Sequence, residues 1–110
     1  WGQKQAEPLD GPFVSGLREA TRGRRVTVVC TVQAKIANES RYANDLLVIQ
    51  NGELRLTYQK IHLYDAFRGK ESRYAAPGDV LPPVLQIGPF KVGFLTCYDV
   101  RFPEMTRALA

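Results

Sequence analysis

The chain combines one segment whose apolar residues follow helical spacing with several strand-like apolar runs. Helical spacing is found at Phe13, Val14, Leu17 and Ala20. It predicts an amphipathic helix over residues 12–23, with Gly23 as its left-handed stop. Residues 26–32 (VTVVCTV), in contrast, are β-branched almost throughout. This pattern predicts a strand that is covered on both faces.

A β-hairpin is predicted near the middle of the chain. The apolar run at residues 46–49 indicates one strand, and residues 54–58 indicate the return strand. Between them stands Asn51-Gly52, which is the strongest short signal for a hairpin turn. The hairpin places Lys60 at a strand end, which is a rigid mount for a reactive side chain.

The second half of the chain predicts a long loop followed by two short strands and a helix. Residues 65–84 are rich in Gly and Pro and predict the loop, with one helical turn near residues 64–67. Strands are expected at residues 84–87 and 90–96, joined by a turn at Gly88. Pro103 predicts the first turn of a helix. The order of these elements is typical of a layered α/β domain.

Composition indicates an ordinary globular domain. The 110 residues carry a net charge of +4, with 45% hydrophobic and 24% charged residues, which allows one domain at most. Basic residues cluster only at residues 22–25 and are not interleaved with aromatic residues, which disfavours nucleic-acid binding. No apolar run approaches the ~20 residues of a membrane span, so we expect no membrane association. One histidine and two distant cysteines cannot form a tetrahedral metal set, and no glycine-rich phosphate loop is present. We therefore expect neither a metal nor a cofactor.

The two cysteines, Cys30 and Cys97, are too few for a disulfide scaffold. Both fall in strands predicted to be buried, and we expect reduced thiols and a cytoplasmic location. Cys97 stands where a strand ends and a helix is about to begin. At such a place a helix N-terminus or a cation lowers the thiol pKa, and backbone N–H groups can face an oxyanion. Position alone nevertheless favours a buried structural cysteine at this site and a solvated lysine at Lys60.

Two sequence blocks change that interpretation. Residues 96–104 (TCYDVRFPE), preceded by residues 58–63 (YQKIHL), closely resemble the carbon–nitrogen hydrolase (nitrilase) superfamily. The resemblance implies an α/β fold that forms part of a four-layer α-β-β-α sandwich. It also implies that Cys97 is a catalytic nucleophile and that Lys60 is the catalytic lysine. The Tyr98 backbone N–H would help Lys60 to stabilise the oxyanion.

Four other residues are expected to have supporting roles, and for Glu71 and His62 the same resemblance implies them. Glu71 matches a second glutamate that lies near the lysine and helps to order the site. His62 would support the site by hydrogen bonding rather than form a Cys–His pair. Asp99 and Arg101 are expected to form an ion pair that braces the turn after Cys97.

One part of the family pattern is absent. The resemblance implies a general-base glutamate in a strand-end motif that this sequence, which begins at Trp1, does not contain. Glu7 belongs to a later segment of the family pattern (EPLDGP, residues 7–12), and no matching motif surrounds Glu19, Glu39 or Glu53. We therefore expect residues 1–110 to be the middle of a longer domain, without its N-terminal strand and helix and without its C-terminal portion.

The sequence thus predicts a hydrolase of non-peptide carbon–nitrogen bonds that acts through a cysteine thioester. Its substrate would be a small amide, and the form of the nucleophile block looks more like the amidase branches than the true nitrilases. Homo-oligomers are expected from the resemblance alone. The alternative is an inactive truncated fragment or interaction module, because the general base is missing.

Overall fold

A computed structural model describes residues 5–110 of the chain. Within these residues the α-helices are α1 (Pro12–Thr21) and α2 (Pro103–Leu109), and the 3₁₀ turns are Glu71–Arg73 and Cys97–Arg101. The strands are β1 (Thr27–Lys35), β2 (Tyr42–Gln50), β3 (Glu53–Gln59), β4 (Ala75–Ala76), β5 (Leu85–Ile87) and β6 (Phe90–Val92).

Strand β2 is the centre of the main sheet. It pairs antiparallel with β1 on one side and with β3 on the other, and short β4 runs parallel to its first residues. The turn between β2 and β3 has positive φ at Asn51 (46°) and at Gly52 (77°). Two successive positive φ values define a type I′ turn, which matches the twist of a hairpin. The predicted hairpin is confirmed, and Lys60 directly follows β3.

Two apolar layers pack on the opposite faces of β2. Alternation along the strand sends Leu47 and Ile49 toward α1, where they contact Val14. The other face carries Leu46 and Val48, which pack in a cluster with Leu56, Tyr58, Phe94 and Met105. This second cluster joins the hairpin to the segment that carries Cys97. Within residues 5–110, no helix has the length and apolar character needed to cross a membrane.

The prediction that residues 26–32 are covered on both faces is wrong for the part of the chain that the structure describes. Strand β1 is half-buried along most of its length, and Val29 is 48% exposed. The reason is its place at an edge of the sheet, with α1 packed against one face only. A run of β-branched residues indicates a strand but does not fix how many of its faces are covered.

Two details of the second half also differ from the sequence prediction. The strand expected at residues 90–96 ends at Val92, because its partner β5 is only three residues long. No helical turn forms at residues 64–67. There the Tyr64 N–H donates to the Glu71 carboxylate and the Tyr64 carbonyl accepts from the Glu71 N–H, so this backbone is bonded across to the 3₁₀ turn at Glu71–Arg73.

Candidate active site

The Lys60 side chain is buried and forms an ion pair. Its Nζ atom lies 2.7 Å from Glu71 Oε2, and the two side chains are 2% and 17% exposed. A buried ammonium without a partner would be strongly destabilising, so Glu71 makes this position tenable for a lysine. The sequence placed Glu71 near the lysine, and the two side chains are in contact. The role of Glu71 in the site remains a prediction.

Glu71 accepts hydrogen bonds from three donors. These are Lys60 Nζ and the Tyr64 N–H, each at 2.7 Å, and the Asn44 side-chain amide at 3.1 Å. Burial alone would raise the pKa of Glu71, but the hydrogen bonds from Lys60, Tyr64 and Asn44 outweigh it and hold the pKa below its ordinary value. Glu71 is therefore ionised at neutral pH.

Asn44 was not assigned a role by the sequence analysis. It is a half-buried residue of β2, on the strand face opposite Asp45 and Leu47. Its side-chain amide orients Glu71. Its backbone carbonyl accepts the Lys60 backbone N–H at 2.9 Å. The available signal was a polar side chain shortly before the apolar run at residues 46–49, where a partly buried amide needs a specific partner.

Cys97 is exposed and begins the 3₁₀ turn Cys97–Arg101. The prediction that it lies in a buried strand is wrong. Its φ is 50°, in the left-handed region. A residue other than glycine pays about 1–3 kcal/mol for such a conformation, and strain of this kind clusters at functional sites. Cys30, by comparison, is half-buried in β1, and burial raises the pKa of its thiol.

Asp99 is fully buried beneath the Cys97 turn. Its carboxylate accepts from the Tyr58 hydroxyl (2.7 Å) and the Thr96 N–H (3.0 Å) at one oxygen. The other oxygen accepts the His62 N–H (3.1 Å) and lies 2.8 Å from His62 Nδ1. Burial would raise the pKa of Asp99, but the bonds from Tyr58, Thr96 and His62 outweigh it and hold the pKa below its usual value.

The predicted ion pair between Asp99 and Arg101 is wrong. Arg101 is exposed and makes no ion pair with any residue of the described range 5–110. Asp99 points inward, where both of its oxygens are already occupied by Tyr58, Thr96 and His62. Two residues of one short turn were expected to pair, but contacts with distant residues determine where Asp99 points.

Aromatic contacts join the Lys60 strand end to the Cys97 turn. The His62 ring stacks on Phe102 with 3.6 Å between the ring centroids. The Tyr98 ring packs edge-on against Tyr64 (5.2 Å) and Phe102 (5.3 Å). The residues that follow Lys60 are therefore fixed against the residues that follow Cys97.

Lys60 and Cys97 are connected through these neighbours and not directly. Across residues 5–110, the structure has no hydrogen bond between Lys60 Nζ and Cys97 Sγ. The Tyr98 N–H lies in the first turn of a helical segment, where N–H groups lack partners within the helix. In the described part of the chain, no three His, Cys, Asp or Glu side chains form a group that could hold a metal ion.

Comparisons with known proteins agree on one family. The family model described as carbon–nitrogen hydrolase matches residues 3–110. The deaminated glutathione amidase of Escherichia coli O157:H7 is 38% identical over 107 residues, which is 97% of this chain and 40% of that protein. The chain thus spans about 40% of the length of this curated relative.

Solved structures give the same result for the fold. A carbon–nitrogen hydrolase superfamily protein from Xanthomonas campestris has a TM-score of 0.79 at 28% identity, covering 94% of this chain and 37% of that one. An amidase variant from Nesterenkonia sp. AN1, with acrylamide added to its active-site cysteine, has a TM-score of 0.70 at 35% identity. That match covers 84% of this chain and 35% of the amidase. The predicted α/β sandwich fold is confirmed.

Proposed function

Because the chain belongs to the carbon–nitrogen hydrolase family, we propose that the protein hydrolyses a small amide to a carboxylate and ammonia or an amine. Cys97 is the proposed nucleophile. The observation that carries this proposal is its exposed, left-handed position, fixed through Tyr98 and Asp99 to the strand end that bears Lys60. The amidases among the similar proteins support an amide as the substrate class.

The proposed reaction proceeds through a thioester. The Cys97 thiolate attacks the amide carbon, and the carbonyl oxygen becomes an oxyanion. Collapse of this intermediate breaks the carbon–nitrogen bond, and the leaving nitrogen takes up a proton as ammonia or an amine. Water then attacks the thioester carbon, which releases the carboxylate and restores the thiol.

Lys60 and Tyr98 are the proposed stabilisers of the oxyanion. The Lys60 ammonium supplies a fixed positive charge in a site of low exposure, where electrostatic stabilisation is strong. The Tyr98 N–H supplies a second donor from the turn that holds Cys97. Glu71 orients the ammonium and keeps the pair neutral overall, while Asp99 and His62 hold the two segments together.

None of the described residues is assigned the role of general base in this mechanism. Glu71 is a poor substitute, because its two oxygens already accept bonds from Lys60, Tyr64 and Asn44. An inactive fragment or interaction module remains the alternative predicted from the sequence. Removing one member of a catalytic unit can cost nearly all of its activity.

Ammonia release from small aliphatic amides tests the first proposal in the full-length protein. Cys97→Ala and Lys60→Met should each lower kcat by at least about 10³-fold, since such groups act as a unit. Cys30→Ala is the matched control, because it removes the half-buried thiol of β1 and should leave kcat unchanged. Mass spectrometry of the parent protein should detect an acyl group on the peptide that contains Cys97.

Two outcomes separate the candidates. Normal hydrolysis by Cys97→Ala would show that Cys97 is not the nucleophile. Ammonia release by residues 1–110 alone, abolished by Cys97→Ala, would exclude the inactive fragment. Homo-oligomerisation and a cytoplasmic location remain predictions from the sequence.

A further inference from the structure

The backbone of Lys60 is held from two sides. Its N–H donates to the Asn44 carbonyl of β2, and its carbonyl accepts from the Gly78 N–H, each at 2.9 Å. Gly78 lies two residues beyond β4, whose own pairing with β2 involves Tyr42 and Ala43. The chain that follows β4 therefore passes beside Lys60, whose backbone is hydrogen-bonded both to β2 and to Gly78.

Gly78 has room for a hydrogen but not for a methyl group. A Cβ atom at this position would lie 2.3 Å from the Gln59 carbonyl oxygen and 3.0 Å from its carbonyl carbon. Both are backbone atoms of the residue just before Lys60, so no side-chain rotation can relieve the clash. The φ of Gly78 lies outside the left-handed region, so close approach to the strand end explains the glycine.

Gln59 ties the same two segments together through its side chain. Its Nε2 atom donates to the Ala76 carbonyl at 2.9 Å. This bond connects the last residue of β3 to the last residue of β4. Together with the Gly78 bond, it leaves the strand end at Gln59 and Lys60 little freedom to shift against residues 75–78.

We infer that Gly78 and Gln59 are positioning residues for the Lys60 ammonium, acting through the backbone that they hold. This inference rests on the proposed function, in which Lys60 stabilises the oxyanion. A long flexible side chain aims its charge reproducibly only when its backbone and its far end are both fixed. Glu71 fixes the far end of Lys60, and the segment at residues 75–78 fixes the backbone.

Amide hydrolysis by the full-length protein tests the inference, with kcat expressed per folded molecule from circular dichroism. Gly78→Ala should lower kcat by about 10–100-fold with KM changed less than about threefold, because a displacement near 1 Å can cost about 10²-fold. Gly69→Ala is the matched control in the same loop. Its Cβ would meet only the Ala66 carbonyl, at an ordinary 3.7 Å, and kcat should stay within about twofold.

Gln59→Leu provides a second variant that keeps side-chain size and removes the donor to Ala76. It should lower kcat by about tenfold. The double variant should lose little more than Gly78→Ala alone, because both changes release the same segment. If Gly78→Ala does not fold, Gln59→Leu alone decides the question.

The outcomes separate this inference from the proposed function. Unchanged kcat per folded molecule in Gly78→Ala and Gln59→Leu, with Lys60→Met inactive, would overturn the positioning role and leave the proposed function intact. Full activity in Lys60→Met would overturn both. A variant that only lowers the fraction of folded protein would assign Gly78 and Gln59 to folding. A variant that only changes KM would assign them to substrate binding. Either result would also overturn the inference.

Discussion

Replacing Asp45 with asparagine should stabilise the folded chain at neutral and alkaline pH. Asp45 lies in β2 opposite Gln59, and it is only 5% exposed. Its Oδ1 atom is buried without a hydrogen-bond partner among residues 5–110. Burial therefore raises the pKa of Asp45 from 3.8 to about 6. The folded state favours the protonated acid, so ionisation of Asp45 lowers the stability of the folded chain.

The size and sign of the effect follow from proton linkage. Between the unfolded pKa of 3.8 and the folded value of about 6, the folded chain binds more protons than the unfolded chain. Stability from this residue is therefore fully present below pH 3.8 and is lost as the pH rises through 6. At about 1.4 kcal/mol per pKa unit, ionised Asp45 costs about 3 kcal/mol. The uncharged asparagine side chain is nearly equal in size and avoids most of that cost.

Urea titrations of the parent and Asp45→Asn at pH 8, 6 and 4 measure this effect. The free energy of unfolding should be about 2–3 kcal/mol higher for the variant at pH 8, with the gain nearly gone at pH 4. Asp79→Asn is the control, because Asp79 is an exposed carboxylate that lines one surface pocket together with Asp45. A variant less stable than the parent at pH 8, or a gain that does not change with pH, would refute the reasoning.

Three further predictions concern the residues around Cys97, the proposed nucleophile. Asp99→Asn should lower the free energy of unfolding by about 3 kcal/mol in a urea titration, since two of the buried groups that donate to Asp99 would then face an NH₂ group. A loss no larger than that of the exposed control Arg101→Gln would contradict this. Tyr58→Phe should lower the free energy of unfolding by about 1.5–3 kcal/mol, and by clearly less in the Asp99→Asn background, because Tyr58 and Asp99 share one hydrogen bond. Equal losses in both backgrounds would show that the two residues act independently. Cys97→Gly should be about 0.5–1 kcal/mol more stable than Cys97→Ala in thermal melts, because glycine accepts φ near 50° without strain; equal melting temperatures would mean that the turn relaxes.

The sequence predicted elements whose signals are local. The helix at Pro12–Thr21 follows from the spacing of its apolar residues, and the turn at Asn51 follows from the dipeptide that tolerates two positive φ values. Lys60 could be placed at a strand end because the hairpin fixes the register. The position of Glu71 beside Lys60 came from the family resemblance, since nothing in a glycine-rich loop sequence brings two residues together.

The predictions that failed depend on partners far along the chain. Asp99 turns inward because Tyr58 and His62 bond to it across 41 and 37 residues, a distance over which sequence spacing carries no information. Cys97 was predicted to lie in a buried strand, but it stands in a turn closed by bonds between Thr96 and Asp99, and the distant Tyr58 and His62 hold the Asp99 carboxylate. The exposure of β1 depends on which elements pack over it, and a β-branched sequence does not record that.

These long-range partners connect the segments of a lysine and a cysteine 37 residues apart, which the proposed function assigns to one site. The Lys60 side has its own internal support, since Asn44, Glu71 and Gly78 fix its charge and its backbone. The Cys97 side is supported by Asp99, whose buried charge is tolerated only because the hairpin supplies Tyr58 and His62 as donors. Asp99 therefore places a buried charge that the segment around Lys60 must satisfy, so a shift between the two sides would leave that charge unpaired. The electrostatic cost of that unpaired charge, more than any direct contact between Lys60 and Cys97, keeps the two groups in register.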